Sequence, residues 1–210
     1  PLVLLLPVAL GFVIERVAYK PLRSAPRMSV MISAIGVSYL LQQVAQLAWT
    51  SNPKSFTSVV SGLKPISLFG GQLTISAETV VTIIACIVIM VVLIWFVNNT
   101  PAGHAMLAVS EDRGAAQLMG VNVNATISLT FAIGSALAAV AGALLCSSYP
   151  TLQPTTGAMP GIKAFVAAVF GGIGSIPGAF LGGILLGIIE NLSKAYISTQ
   201  LSDAIVFLVL

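Results

Sequence analysis

Few side chains in this 210-residue sequence are of a type that does chemistry, and their spacing excludes most reactions they could serve. The one histidine, His104, follows Pro101 and Gly103 with no serine, cysteine or carboxylate at hydrolase or metalloprotease spacing, so acid–base and nucleophilic catalysis lack partners. His104 is therefore expected as a solvated interface residue. Cys86 and Cys146 each fall inside an apolar run, where a small buried hydrophobe is the expected role, and no disulfide framework or CxxC metal pattern exists. No GxxxxGK[ST] phosphate loop occurs, so an ATP-driven function would need a separate ATPase subunit. Glu78, Glu190 and Asp203 lie near the ends of apolar runs, which leaves little for an ion relay at the membrane midplane. The chain is expected to carry no catalytic residue, no metal and no cofactor of its own.

Chemistry this sparse suits a protein that conducts rather than converts, and composition agrees. Hydrophobic residues make up 57% of the chain and charged residues 7%, with a mean hydropathy of +1.03, against about 25% charged in soluble proteins. The chain belongs in a bilayer and meets lipid. A net charge of +3 would suggest nucleic acid only if clustered on a water-soluble face. Instead Arg16, Lys20, Arg23 and Arg27, four of the nine basic residues, share one short stretch between apolar runs, which marks a cytoplasmic segment. No basic n-region or small-residue cleavage site makes the N-terminal run a signal peptide.

Residues 29–49, 78–97 and 125–147 are apolar runs of membrane-spanning length. Residues 2–14 would reach only about 20 Å as a helix, short of a ~30 Å hydrocarbon core, and the sequence stops inside an apolar run, so a fragment of a longer chain is expected. Residues 161–189 are apolar but interrupted by Gly171, Gly172, Gly174, Pro177 and Gly178, which predicts two shorter helices joined at membrane depth. With residues 16–27 cytoplasmic, residues 50–77 and 149–160 fall outside and residues 98–124 inside. Gly70 and Gly71, between short alternating apolar runs, predict a two-residue hairpin turn. Gly134, Ala138 and Gly142, Gly178 with Gly182, and Gly183 with Gly187 recur at four-residue spacing, faces on which helix backbones can approach.

Polar residues within spans are the candidates for a pathway. Tyr39, Gln42 and Gln46, at i, i+3 and i+7, share one helix face and suit either an interhelical hydrogen bond or the lining of a pore. Gln43 points off that face as a packing residue. Lys163 and Glu190 are expected at the two ends of the interrupted unit, since a charge at the centre of a span costs about 2.5 to 3.5 kcal/mol. The polar segment 98–124 is expected to present a handle to a partner. Residues 111–120 read as a short helix closed by Gly120, with Met106, Val109, Leu118 and Met119 as apolar contacts and Ala115 and Ala116 allowing close docking.

Gly103, Met106, Ala108, Glu111, Asp112, Ala116, Leu118 and Gly120 match the cytoplasmic motif of permease subunits of branched-chain amino acid ABC importers, and the chain resembles that LivH-type family. The stretches GFVIERVAYKPLRSAPRMSVMISAIGVSYLLQ, ISLTFAIGSALAAVAGALL and GIKAFVAAVFGGIGSIPGAFLGGILLGIIE extend the resemblance to essentially all 210 residues. It departs where the family often carries arginine and this chain has His104 and Leu107, and the EAAxxxG pattern of ABC importers more broadly is met only with Gly114 in the acidic position. The resemblance implies an all-α, polytopic transmembrane helix bundle, a single permease domain with a broken or re-entrant helix pair and a short cytoplasmic coupling helix. It also implies a multi-pass place in the bacterial inner membrane, and further N-terminal spans. As partners it implies a homologous second permease subunit, two ATP-binding subunits that use ATP and magnesium, a periplasmic amino-acid-binding protein and membrane lipid, with no nucleic acid. A cytoplasmic C-terminus would put residues 191–202 outside and make the broken pair enter and return from that side. Permeases for urea, amides or sugars would look alike, and a secondary carrier or channel built on residues 171–178 is the rival of another class.

Overall fold

In this computed structural model, residues 2–22, 27–55, 66–68, 73–149, 151–199 and 201–208 are described. In chain order the helices are α1 (Leu2–Ile14), which runs into a π-helical turn (Glu15–Tyr19), α2 (Arg27–Trp49), α3 (Ala77–Asn99), α4 (Pro101–Glu111) and α5 (Arg113–Leu118). They are followed by α6 (Val123–Ser148), α7 (Ala158–Phe170), α8 (Ile176–Tyr196) and α9 (Ser202–Leu208). Among the described residues four short strands accompany them, β1 (Lys54–Ser55), β2 (Ile66–Leu68), β3 (Leu73–Ile75) and β4 (Thr151–Leu152). Among the described residues three helices, α3, α6 and α8, are long and apolar enough to cross a membrane. The predicted span 29–49 forms α2, which its glutamines and serines make less apolar than those three. The chain divides into two compact units, Pro1–Ile84 with Val97–Thr155, and Ala85–Phe96 with Thr156–Leu210.

The first unit rests on α1 packed antiparallel against α6. Gly11 lies against Ser135, so close that a Cβ there would overlap the serine side chain, and Glu15 at the end of α1 accepts a 3.2 Å hydrogen bond from Ser128. Tyr19 and Phe131 continue the contact with ring centroids 5.0 Å apart. The helical course of α1 thus runs past residue 14 through Tyr19, longer than the apolar run alone suggests, because α6 supplies a partner for the polar turn. The pairing brings the basic stretch that begins at Arg16 to the same end as the N-terminus of α6, where the polar segment 98–124 ends. At the opposite end of α6, β4 pairs antiparallel with β1, Lys54 opposite Leu152 and Ser55 opposite Thr151. Both segments expected outside are therefore joined to each other. β2 and β3 pair antiparallel with Leu68 opposite Leu73, as the expected hairpin requires, while Gly70 and Gly71 lie outside the described residues, as does Arg23.

In the second unit α7, α8 and α9 share a small core of Val166, Ala167, Leu186 and Val206 with Phe207 against it. The break predicted in residues 161–189 is a tight turn between Phe170 and Ile176, and it corrects one expectation: only α7 is short, whereas α8 has 21 residues. At ~1.5 Å per residue α8 reaches roughly 32 Å, a full membrane thickness. The sequence alone truncates α8 because the apolar run ends at Ile189, but the helix continues through the charged Glu190 and Lys194, which pair with each other.

The small-residue faces divide. A Cβ on Gly182 would overlap the carbonyl oxygen of Ala167, and a Cβ on Gly178 that of Gly171, so this pair carries the approach of α8 to α7. A Cβ on Gly134, Gly142, Gly183 or Gly187 would meet nothing within 4 Å, so those glycines are not the packed ones. On α6 the packed positions include Ser135, one residue along from Gly134, and the buried Ala139, one along from Ala138. Four-residue spacing recurs on more than one face of these glycine-rich helices, and spacing does not say which face is covered. Cys86 corrects a second expectation: it is exposed, because no residue of α3 is buried, while Cys146 is partly buried.

Gly182→Ala is expected to destabilise the purified protein by about 1 to 3 kcal/mol, the usual cost of overpacking against backbone. Gly183→Ala, with open space at its Cβ, should hold or raise stability by up to ~1 kcal/mol through helix propensity. Thermal midpoints of the two variants in detergent, side by side, measure the contrast.

Candidate functional site

The handle is two helices set on α6. α4 starts at Thr100, whose hydroxyl oxygen accepts from the Gly103 amide at 3.0 Å, with Pro101 as its first residue, where the missing amide costs nothing. It ends at Glu111. Asp112 then adopts extended backbone, and one carboxylate oxygen accepts from the amides of Gly114 at 2.7 Å and Ala115 at 3.2 Å, which starts α5. The expected single helix over residues 111–120 is therefore corrected: Glu111 closes α4, and Asp112 caps a separate helix. Aspartate competes for the backbone so well at this spacing that it interrupts a run of otherwise helix-forming residues.

Gly120 ends the handle as expected. Its φ of +85° is a left-handed conformation; its amide reaches the Gln117 carbonyl at 3.0 Å, and the Val121 amide reaches that of Ala116 at 3.0 Å. This double bond pattern is the glycine-terminated Schellman stop. Asn122 then caps α6 by accepting from the Ala125 amide at 3.1 Å.

Burial sorts the nine coupling candidates. Gly103 and Ala116 are buried and Met106 is half-buried, so these three seat the handle, together with the buried Val109. Ala108, Glu111, Asp112, Ala115, Leu118 and Gly120 are exposed. Leu118 and Met119 keep 90% and 85% of their surface open, two large apolar side chains projecting from the tip of a short capped helix. His104 is exposed on α4 as expected.

Of the pathway candidates, Tyr39 is exposed and Gln42 and Gln46 are half-buried on α2 in the first unit, with Gln42 donating a long 3.4 Å bond to Ser38. Gly171, Gly172, Gly174, Pro177 and Gly178 belong to the α7–α8 turn of the second unit. Gly172 and Gly174 have φ of +92° and +100°, and the hydroxyl oxygen of Ser175 accepts from the Gly178 amide at 3.1 Å with Pro177 in the first turn of α8. The turn is thus capped at both sides and compact, with Gly172, Ile173 and Gly174 exposed at its tip.

Lys163 and Glu190, expected apart at two ends, are brought together. The α7–α8 hairpin places Lys163 Nζ 2.8 Å from Glu190 Oε1 and 2.8 Å from Asp203 Oδ1 on α9, while Lys194 Nζ lies 2.6 Å from the same Glu190 oxygen. Two cations and two carboxylates make a neutral cluster across three helices. Sequence spacing misses it because the pairing depends on the direction of the turn; only Glu190 and Lys194, four residues apart, were readable as neighbours.

Apolar helices of membrane length joined by polar segments, one of them a seated handle with an open apolar tip, place the chain among polytopic membrane proteins. Residues 1–210 match the family described as the branched-chain amino acid transport system / permease component, and the chain belongs to it. It is 42% identical over 205 residues to the high-affinity branched-chain amino acid transport system permease protein LivH of Escherichia coli K12, covering 96% of this chain and 66% of that relative. To the corresponding protein BraD of Pseudomonas aeruginosa it is 41% identical over 203 residues, 95% of this chain and 65% of BraD. A fructose import permease protein, FrcC of Rhizobium meliloti, is 31% identical over 130 residues, 59% of this chain and 36% of FrcC. The chain spans just under two thirds of the length of the first two relatives. No solved structure matches it. That family is a permease component of a transport system, and among the described residues three helices have the length and apolarity to cross a membrane.

Two outcomes test this geometry. Asp112→Ala should cost α5 about 1 kcal/mol, within the 0.5–2 kcal/mol of an N-cap loss, and speed amide exchange at Gly114 and Ala115, while Asp112→Asn keeps most of the protection. Lys163→Met with Glu190→Met, read as a double-mutant cycle in thermal unfolding, should give a coupling of about 0.5 to 1 kcal/mol, since both side chains retain roughly a fifth of their surface in the open.

Proposed function

We propose that the chain is a permease subunit of an ATP-driven ABC importer of the bacterial inner membrane, moving leucine, isoleucine or valine, with no bond-making chemistry of its own. The observation that carries this reading is the handle: a two-helix element seated through Gly103, Val109 and Ala116, with Leu118 and Met119 offered outward. An apolar knob on a short helix suits insertion into a groove of a partner protein. The partner is an ATP-binding subunit on the cytoplasmic face, one of two that bind and hydrolyse ATP with magnesium. A second, homologous permease subunit completes the pathway and a periplasmic binding protein delivers the amino acid. ATP-driven displacement of α4 and α5 biases the bundle between inward- and outward-open states. Candidate coupling contacts are Ala108, Glu111, Asp112, Ala115, Leu118 and Gly120. Candidate pathway residues are Tyr39, Gln42 and Gln46, together with the tip of the α7–α8 turn.

The branched-chain substrate follows the names of LivH and BraD, the relatives that match nearly the whole chain. A second reading, a sugar permease, draws on the partial likeness to FrcC. A secondary carrier would need no ATPase at all.

Leu118→Asp leaves the fold intact, because the side chain is almost wholly exposed, and should lower ATP-dependent leucine uptake by the complete complex in proteoliposomes at least about tenfold, the effect of losing an interface anchor. Undiminished uptake in that variant, or failure of any ATPase to co-purify with the full-length protein, would sink the coupling assignment. A panel of radiolabelled amino acids and sugars in the same vesicles tests the substrate: transport of a sugar without leucine overturns it.

A further inference from the structure

Where α1 gives way to its π-helical turn, a cleft of about 190 Å³ opens between that turn and the start of α6. Phe12, Glu15, Arg16 and Lys20 line it from the α1 side and Asn122, Asn124, Ala125 and Ser128 from the α6 side. Glu15 is only 2% exposed and is engaged by Ser128. Arg16 and Lys20, exposed and four residues apart on one side of the turn, have no ion-pair partner among the described residues, unlike Lys163 and Lys194. The cleft is therefore a polar recess whose two walls carry amide groups and unspent positive charge.

Its depth identifies what would fill it. The apolar helix α1 ends here and the polar cap of α6 begins here, which is the level of the lipid headgroups. Leu6, Leu10 and Val13 on α1, with Val17 in the π-helical turn, form an exposed apolar stripe at helical spacing. A ligand matching both surfaces has an anionic head and a long apolar tail. We propose that the cleft binds the phosphodiester headgroup of an anionic phospholipid, with Arg16 and Lys20 on the phosphate, Asn122 and Asn124 on the glycerol or headgroup hydroxyls, and an acyl chain against Phe12 and the α1 stripe. Arg16 supplies planar, multidentate donors and Lys20 a compact point charge. Basic pockets between membrane helices recognise acidic lipid heads by this combination. The inference rests on membrane placement and not on the transported solute or the ATPase, so its failure leaves the transport reading standing.

The test is photo-crosslinking in the complete complex, held in nanodiscs of phosphatidylcholine with a phosphatidylglycerol that carries a photoreactive headgroup. Labelling is expected on peptides containing residues 12–20 and 122–128. Arg16→Gln with Lys20→Gln should lower it about tenfold, while the charge-keeping exchange Arg16→Lys with Lys20→Arg retains most of it. Millimolar inorganic phosphate should leave it unchanged. Labelling of the wild-type protein only elsewhere, undiminished labelling in the glutamine variant, or loss of labelling to inorganic phosphate, which would mark a site for free anions, each overturns the proposal.

Discussion

A chain that reverses direction within five residues between two packed helices must still satisfy the backbone groups left open at both helix ends, and the second unit depends on how residues 171–175 meet that demand. The last carbonyls of α7 are taken up by amides of the turn, with Gly171 bonding to Ala167 at 2.9 Å and Gly172 to Val169 at 3.1 Å, and the first amides of α8 are served by Ser175. Closing so short a turn presses the two helices together until the backbones of Gly171 and Gly178 touch, which no side chain would permit. From that contact follow the antiparallel course of α7 and α8, the burial of Val166 against Leu186, and the meeting of Lys163 with Glu190. The neutral four-charge cluster is then a result of the turn, and it secures the far end of the hairpin that glycine secures at the near end.

The first unit solves a related problem differently. Glu15 enters a nearly closed site because α6 offers Ser128 where α1 would otherwise end, and the helix loosens into a π turn as it passes. A buried carboxylate is affordable only with such partners.

Much of this was legible in the residues. Length and hydropathy predict helices at α2, α3 and α6, and the glycines and Pro177 mark the turn between α7 and α8, because lipid imposes a simple rule on composition. The stop at Gly120 was legible for a local reason: only a residue tolerating positive φ ends a helix that way. What stayed hidden was direction and facing. Which of several four-residue glycine rows is covered, how far α8 continues past its apolar run, and that Lys163 finds two carboxylates all depend on neighbours remote in sequence. Within the handle, the sequence reads Asp112 as part of one helix over residues 111–120, while its carboxylate is spent on backbone amides, a choice that rests on one residue adopting extended backbone.

That choice has a mechanical consequence. Asp112 alone separates α4 from α5, and it is bonded to both, its amide to the Ala108 carbonyl and its carboxylate to Gly114 and Ala115. The joint has no slack residues in which to dissipate a displacement. A displacement of α5 is therefore carried across a stiff elbow into α4, which itself packs against the long helix α6.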